Sequence, residues 1–258
     1  MNSLRIMEWN ANGLLQHRDE LQAILSTQKI DICLISETHF TNGSYMKFHN
    51  YVTYHTVHPA NKGRGGSAII IRENIKHWEE EKIAEKNMQV TSVTIASLNQ
   101  TLTVSALYRP PGHSINAKQY TELFRRLNNR FIIGGDFNAK HIHWGSRITQ
   151  TTGRKLFSAV SDYGCEFIST GKPTYWPTNP NKIPDLIDIL VTKNISPNYM
   201  GIEKGCDLNS DHSPILLMIG DRIIERFQNP TLVSNRTDWE YFNHLIESNI
   251  NLRVPLRR

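Results

Sequence analysis

The chain has 258 residues, which suits one large domain with a sizeable core. Hydrophobic residues make up 39% and charged residues 21%, and this composition excludes a mostly disordered chain. No apolar run approaches the roughly 18 residues of a membrane helix, and no secretory signal is visible, so we expect no membrane partner. The net charge of +5 favours a polyanionic partner. Cys33, Cys165 and Cys206 are widely spaced, which predicts free thiols rather than disulfides or a zinc site.

The first half of the chain alternates between strand-like and helix-like hydrophobic periods. The run at 30–36 is continuously apolar, as expected of a strand buried on both faces. Two β-rich runs flank Leu98-Asn99-Gln100, which is a hairpin signal. The predicted elements of this half are strands at 4–9, 30–36, 51–57, 67–72, 90–97 and 101–108 and a helix at 18–27.

The second half continues the mixture and decides the predicted fold class. A strand at 131–133 is predicted to stop at Gly134-Gly135. The other predicted elements are helices at 117–127 and 154–163 and strands at 186–191 and 214–219. Antiparallel hairpins thus mix with strand–helix crossovers over about nine or ten strands and three helices. This pattern predicts an α/β fold in which two packed mixed β-sheets are flanked by helices, a four-layer α/β sandwich.

The character of the sequence changes near residue 222. We expect residues 1–222 to form one domain and 223–258 to form a linker that carries one amphipathic helix. A capping box at Thr237-x-x-Glu240 and the apolar face that follows predict this helix over about 238–248. We expect the segment to lead toward a downstream region that lies outside this sequence.

Polar residues follow several of the predicted strands, where α/β folds commonly place their sites. Asn10, in Trp9-Asn10-Ala11-Asn12-Gly13, could bind a phosphate or orient an acid, although a plain Asn-Gly turn explains this motif more simply when it is taken alone. Glu37 follows the buried strand within Ser36-Glu37-Thr38-His39. A carboxylate there is costly unless it is paired or binds a cation, so Glu37 is a metal candidate, with a salt bridge as the competing explanation.

Four further clusters lie in the rest of the chain. Tyr108, at a strand end before Arg109-Pro110-Pro111, could donate to an anion or belong to the core. Gly134-Gly135-Asp136-Phe137-Asn138 places a carboxylate and a carboxamide two residues apart, within reach of one substrate atom. Asp188 lies among apolar neighbours and needs a partner, for which a histidine is one candidate. The Asp211-His212 pair before a late strand suits acid–base chemistry or phosphate binding, although such a pair is also common in loops.

Taken together, these motifs resemble the exonuclease–endonuclease–phosphatase superfamily. The chain is similar in particular to the apurinic-type endonuclease domain of jockey-like non-LTR retrotransposons. The resemblance covers residues 4–220 and rests on WNANG, SETH, YRPP, GGDFNAKHxxWGS and SDHSP. It implies a Mg²⁺-dependent endonuclease, with Mn²⁺ as a substitute, that nicks double-stranded DNA. The resulting 3′-hydroxyl would prime reverse transcription by a reverse transcriptase domain of the same polyprotein, in the nucleus.

The resemblance also implies roles for individual residues. Glu37 is the principal metal ligand, with Asn10 and Asp211 beside the metal. Asp136 orients or deprotonates the attacking water, assisted by Asn138. Tyr108, Asn138, Thr174 and Arg109 contact substrate, and Asp188 pairs with His212, which faces the phosphate. Whether Asp136 or His212 is the base stays open. The segment 193–208 is expected to help in choosing the target, and the loop residues Lys62, Arg64, Arg109, Lys140 and Arg147 are candidates for phosphate contacts.

One departure from the family pattern bears on the choice between functions. Apurinic repair enzymes carry an aspartate where this chain has Asn12, which removes one potential metal carboxylate and argues against a repair enzyme. The motifs are also compatible with another phosphodiesterase of the superfamily and with a catalytically dead DNA-binding domain. His141 and Trp144 are expected to pack the loop after Asn138 rather than bind a metal, because Mg²⁺ prefers oxygen ligands.

Overall fold

The computed structural model of the chain describes residues 3–96, 101–220 and 238–249. The strands of these ranges are β1 (Ser3–Asn10), β2 (Ile32–Ser36), β3 (Tyr51–Thr56), β4 (Ser67–Arg72), β5 (His77–Glu79), β6 (Ile83–Glu85), β7 (Met88–Ala96), β8 (Thr101–Tyr108), β9 (Phe131–Asp136), β10 (Glu166–Ile168), β11 (Asp188–Lys193), β12 (Met200–Lys204) and β13 (Ile215–Gly220). The α-helices are α1 (Arg18–Thr27), α2 (Ala117–Arg126), α3 (Thr151–Asp162) and α4 (Trp239–Asn249).

The strands form two mixed sheets. The first has the order β12-β13-β1-β2-β4-β3, and the second has the order β10-β11-β9-β8-β7-β5, with β6 paired to β7. Two neighbouring pairs are parallel, β1 with β2 and β8 with β9, and the other pairs are antiparallel. The two parallel pairs occupy the middle of their sheets, so their carboxyl ends offer a central edge for a site.

The core confirms the predicted α/β sandwich, because successive side chains of a central strand point into two different buried clusters, one on each face of the sheet. In β2, Ile32 and Leu34 join a cluster that also contains Val104 and Leu190 of the second sheet. Cys33 and Ile35 point the other way, into a cluster with α1. A third cluster packs the outer face of the second sheet against α2 and α3. A strand that is buried on both faces reads as one apolar run, as the sequence predicted for β2.

Four short strands, β5, β6, β10 and β12, were not predicted, so the expected count of nine or ten is too low. Three of them have only three residues, too few to display a period of two. They lie on the edges of the sheets or on β7, where pairing with a longer neighbour determines the strand. Cys33, Cys165 and Cys206 are free cysteines, as predicted.

The chain divides into two compact units, Met1–Ile224 and Glu225–Arg258. In the second unit, α4 differs from the predicted 238–248 by one residue at each end. The Asp238 side chain accepts a hydrogen bond from the Tyr241 N–H (2.9 Å) at the start of this helix. The predicted cap, Thr237, lies outside the described residues, as does most of the predicted linker. Among the described residues, no helix has both the length and the hydropathy needed to span a bilayer.

The two glycines before Asp136 do not end β9, which corrects the prediction of a strand over 131–133. The pairing of β8 with β9 continues through Ala106 with Gly134 and Leu107 with Gly135 to Tyr108 with Asp136. A Cβ on Gly135 would lie 1.8 Å from the Leu107 carbonyl oxygen. Glycine is therefore needed because the neighbouring strand approaches closely, and the strand carries Asp136 to the sheet edge.

We expect Gly135→Ala to lower the free energy of unfolding by about 3 kcal/mol, because the added methyl would force β8 and β9 apart. Urea denaturation followed by circular dichroism measures this change. Gly43→Ala is the matched control, since nothing lies within 4 Å of its Cβ position. The control should change stability by less than about 0.5 kcal/mol. Equal unfolding midpoints for the two variants would contradict the steric argument.

Candidate active site

The predicted site residues meet at one edge of the sandwich because the sheet register brings the strand ends together. Asn10 pairs with Ser36 at the end of the parallel β1–β2 pair. Tyr108 pairs with Asp136 at the end of β8 and β9, and Asp188, the first residue of β11, pairs with Asp136 from the other side. Five elements that are far apart in the sequence thus deliver polar side chains to one place.

Ser36 connects the two sheets directly beneath this site. Its Oγ donates to the Leu107 carbonyl (2.8 Å) and accepts the Asp136 N–H (3.0 Å). Both bonds are buried, where hydrogen bonds are strong and unpaired groups are costly. Ser36 lies in a motif that the sequence indicated, but its role as the link between Glu37 and Asp136 depends on the packing of two sheets and could not be inferred from spacing.

Glu37 follows β2 in a left-handed backbone conformation, with a φ of 53°. Its Oε1 accepts a hydrogen bond from Asn10 Nδ2 (3.1 Å), and His39 Nε2 lies 3.2 Å from its Oε2. Burial opposes ionisation, yet hydrogen bonds from His39, Asn10 and Tyr108 outweigh it and lower the pKa of Glu37 below its ordinary value. Glu37 is therefore ionised at neutral pH, as a cation ligand must be.

Asp136 is held by donors on both carboxylate oxygens. Its Oδ2 accepts from Asn10 Nδ2 (3.0 Å) and Asn138 Nδ2 (2.9 Å), and its Oδ1 accepts from the Asn138 N–H (2.8 Å). Burial raises the pKa of Asp136 well above its ordinary value, and the negative charge of Asp188 raises it further, against the opposing charge of His212. A raised pKa makes a carboxylate a stronger base.

Asp188 and His212 form the predicted pair, with 2.8 Å between Asp188 Oδ2 and His212 Nδ1. Both side chains are buried. Burial alone would lower the pKa of His212, but the charge and hydrogen bond of Asp188 prevail and raise it to about 9. His212 is therefore a protonated donor at neutral pH. Its backbone is fixed as well, because its N–H donates to Ser210 Oγ (3.0 Å) and its carbonyl accepts from Trp9 Nε1 (3.2 Å).

Thr174 and Arg109, both predicted to contact substrate, have structural partners here. Thr174 Oγ1 accepts the N–H groups of Ile187 (3.3 Å) and Asp188 (3.2 Å), and the residue is buried. Arg109 is also buried, and its guanidinium donates to the carbonyls of Asn138 (3.2 Å) and His113. The geometry thus gives Thr174 the role of positioning Asp188 and gives Arg109 that of holding the Asn138 loop.

The amide of Asn10 bridges two carboxylates, as expected of a side chain that orients an acid, and its predicted place beside the metal stays a prediction. Its Nδ2 donates to both Glu37 and Asp136, while its Oδ1 accepts the Asn12 N–H (3.0 Å). The same turn holds Asp211, whose Oδ1 accepts from Asn12 Nδ2 (3.2 Å). Asn10 therefore positions the two acids, and the predicted metal ligands that keep carboxylate oxygens at this edge are Glu37 and Asp211.

The donor set fits a hard divalent cation. Mg²⁺ binds through one or two carboxylates and water, and Glu37 provides an ionised carboxylate at the site. Asp136, Asp188 and His212 also offer atoms that lie within 4.8 Å of one another. In that group the His212 Nδ1 already faces Asp188, so we assign it to hydrogen bonding rather than to metal ligation. The excess of buried negative charge around one imidazolium favours a cation at this edge.

Glu8 is a buried acid that the sequence patterns did not bring forward. It is fully buried in β1, and neither carboxylate oxygen has a hydrogen-bond partner. Burial raises its pKa well above the ordinary value, and the charges of Asp188 and Asp136 raise it further. The cost of an acid in an apolar strand, which singled out Asp188, applied equally to Glu8.

The loop after Asn138 packs as predicted, since the His141 ring stacks on Phe157, with 4.7 Å between the ring centroids, and Trp144 is buried.

With the geometry established, comparison with known proteins identifies the family. The model of the Endonuclease/Exonuclease/phosphatase family matches residues 7–212, which span every strand end described above. The chain belongs to this family. The resemblance recognised in the sequence is confirmed, and so is the predicted fold of two mixed sheets with flanking helices.

The chain is similar to several proteins of mobile elements. The probable RNA-directed DNA polymerase from transposon BS of Drosophila melanogaster is 32% identical over 99% of this chain and 28% of the relative. The RNA-directed DNA polymerase from mobile element jockey of the same organism is 32% identical over 98% of this chain and 28% of the relative. The chain thus spans about 28% of the length of these relatives.

Solved structures share the fold of the family. The endonuclease domain of TRAS1, a telomere-specific non-LTR retrotransposon, has a TM-score of 0.71 and 22% identity, covering 84% of this chain and 98% of that one. The AP endonuclease LMAP from Leishmania major also has a TM-score of 0.71, with 11% identity, covering 86% of this chain and 89% of that one. The same architecture therefore occurs in the endonuclease domain of a retrotransposon and in an AP endonuclease.

Proposed function

We propose that this chain is the DNA-nicking endonuclease domain of a non-LTR retrotransposon polyprotein. It hydrolyses one strand of duplex DNA in a Mg²⁺-dependent reaction and leaves a 3′-hydroxyl and a 5′-phosphate. The observation that carries the proposal is the buried Asp188–His212 pair next to Asp136 and Glu37 at one sheet edge. The likeness to transposon and jockey polymerases supports a reverse transcriptase partner in the same polyprotein. We propose the nucleus as the place where the domain acts on target DNA.

The charge states of the two candidate bases support a division of labour. His212, with a pKa raised to about 9 by Asp188 against burial, cannot accept a proton at neutral pH, so it donates to a phosphoryl oxygen. Asp136 accepts the proton of the attacking water, and its two donors, Asn10 and Asn138, fix the carboxylate for that role. Tyr108 has a pKa raised by burial and by Glu37, so it stays a phenol that can donate to the phosphate.

A cation at Glu37 and Asp211 would complete this chemistry. The contribution of a bound divalent ion is to neutralise charge on the scissile phosphate and on the departing 3′-oxygen. Hydrogen-bond contacts with Asn10 and His39 hold the Glu37 carboxylate in position for that ion. Mn²⁺ also accepts oxygen ligands and is the expected substitute.

A cationic rim beside Tyr108 supports a DNA substrate. The pKa of His58 is lowered, first by burial and then by the nearby positive groups of Arg64, His113, Lys62 and Lys86. Lys62 and Arg64 are exposed and lie in the loop whose Gly65 packs against the Tyr108 ring. Such a rim contacts phosphates without reading sequence, so its affinity falls steeply with salt.

A primer-extension experiment tests the proposed termini, and the choice of substrate separates this function from that of a repair endonuclease. Plasmid nicked by the protein is given to a DNA polymerase with labelled nucleotides, with and without prior phosphatase treatment. We expect label to be incorporated without phosphatase, because the nick carries a 3′-hydroxyl. A strict requirement for phosphatase would contradict the proposed termini. Cleavage confined to duplexes that contain an abasic site would favour a repair endonuclease instead.

A further inference from the structure

Trp176 is a large apolar side chain that lies exposed beside His212. It is 45% exposed, whereas Trp9 and Trp144 are buried in the core. Its neighbour Tyr175 packs its ring against the imidazole of His212, with 4.9 Å between the ring centroids. The proposed chemistry at Asp136, His212 and Glu37 makes no use of Trp176.

Both chain neighbours of His212 hold Trp176, one through its backbone and one through its indole. The backbone N–H of Trp176 donates to the Asp211 carbonyl (2.8 Å), and the indole Nε1–H donates to Ser213 Oγ (2.9 Å). The Ser213 hydroxyl donates in turn to Asp207 Oδ1 (2.8 Å). The ring plane is therefore oriented relative to the catalytic imidazole before any substrate arrives, so binding against it loses little rotamer entropy.

A positive charge accompanies the ring. Lys204 Nζ lies over one face of the Trp176 ring, 5.6 Å from the ring centroid, and forms an ion pair of 2.8 Å with Asp207, so the opposite face is the one offered to a base. Lys204 belongs to β12, inside the 193–208 segment that is expected to help in choosing the target. An exposed aromatic face with an adjacent ammonium group matches the two chemical components of a nucleotide, the base and the phosphate.

We propose that Trp176 is a stacking platform for a DNA base next to the scissile phosphate, with Lys204 placed for a neighbouring phosphate. The proposal rests on the proposed function, because it takes DNA as the substrate. Every base has a π-face, so stacking adds affinity with little dependence on sequence. The fixed distance from the indole to His212 would also set which phosphodiester is presented for hydrolysis.

Trp78 provides a matched control in the same chain. It is likewise 45% exposed, and its Nε1 donates to Glu80 Oε1 (3.0 Å). Trp78 pairs with Thr94 of β7, and Thr94 pairs with Thr103 near the start of β8. The site lies at the other end of β8, at Tyr108, so Trp78 is equally exposed but remote from the chemistry.

The first test is fluorescence quenching by a 20-base-pair duplex in EDTA, measured for the wild type, Trp176→Phe and Trp78→Phe. We expect Trp176→Phe to abolish most of the DNA-induced quenching. Trp78→Phe should lose part of the emission and keep the quenching. Equal loss of quenching in the two variants, or no loss in Trp176→Phe, would overturn the proposal. The assay requires no cleavage, so it separates base stacking from catalysis.

The second test is the kinetics of plasmid nicking. Trp176→Ala should raise KM by roughly tenfold or more while kcat changes less than about threefold. Trp176→Phe keeps a ring and should lose less, and Trp78→Ala should match the wild type. Thermal melting shows whether each variant is folded. An unchanged KM in folded Trp176→Ala would reject the platform while leaving the nuclease intact. Quenching through Trp176 without nicking by the wild type would instead reject the proposed function and retain the platform.

Discussion

Replacing Asp136 with alanine is expected to lower the rate of plasmid nicking by two or more orders of magnitude, because the base and its two oriented oxygens disappear. His212→Ala should cause a loss of similar size, since the protonated donor facing the phosphate is removed. Both effects should appear mainly in kcat, as these groups act on the transition state. The measurement is the initial rate of conversion of supercoiled plasmid to open circles over a range of plasmid concentrations, which separates kcat from KM.

Matched controls separate these losses from unfolding. His49→Ala removes an exposed imidazole just before β3, where Tyr51 pairs with Arg72 at the end of the first sheet opposite the site. This variant should nick at the wild-type rate. Thermal melting monitors the fold of all three variants, because Asp136 and His212 are buried. Nicking within threefold of the wild type by Asp136→Ala or His212→Ala would contradict the corresponding role.

The Asp188→Asn variant is expected to move the alkaline limb of the pH–rate profile. In the wild type, Asp188 raises the pKa of His212 to about 9 against the effect of burial, so activity should decline as pH rises through about 9. The amide removes the carboxylate charge, so burial lowers the pKa of His212 from its wild-type value, opposed only by the charges of Asp136 and Asp211. At pH 7.5 the variant should nick about 100-fold more slowly, with partial recovery toward pH 6.

The same pair should affect the pH dependence of stability. The pKa of His212 is higher in the folded protein than in the unfolded chain, so its stabilising contribution is complete below about 6.5. That contribution disappears as pH rises through about 9 in the wild type. Profiles of kcat/KM and of the urea midpoint against pH measure the two effects. An alkaline limb at the same pH in Asp188→Asn and the wild type would show that Asp188 does not control the protonation of His212.

The fold was predictable where hydrophobic runs were long, and unpredictable where pairing decided the structure. β2 (Ile32–Ser36) was visible because its five buried residues lie within the largely apolar run predicted at 30–36, although the strand begins two residues later than predicted. β9 was predicted three residues too short because glycine usually signals a turn. Tertiary packing explains the two glycines within a strand, because Leu107 of β8 approaches Gly135 closely. The side chains of Leu34, Leu190 and Glu8 crowd the space beside Gly134.

The site shows the same division between local chemistry and tertiary arrangement. Asp188 was recognisable because an acid among apolar residues needs a partner. Asp136 and His212 stood out through the Gly-Gly-Asp-Phe-Asn and Asp-His motifs, and the family resemblance implied the pairing of Asp188 with His212. The orientation of the Asn10 amide could not be read from the sequence, since it depends on Glu37 and Asp136 arriving from two sheets. Glu8 could have been singled out by the energetic cost of burying a carboxylate in an apolar strand. Its lack of hydrogen-bond partners, however, follows only from the packing of β1.

The most direct test of a metal-dependent nickase is incubation of the protein with supercoiled plasmid in Mg²⁺ or in EDTA. We predict open circles with Mg²⁺, none with EDTA, and recovery when excess Mg²⁺ is restored. Glu37→Gln, which removes the ionised carboxylate while keeping the shape of the side chain, should need a higher Mg²⁺ concentration for half-maximal nicking. Nicking that persists in EDTA, or intact plasmid from folded wild-type protein at every Mg²⁺ concentration, would contradict the account.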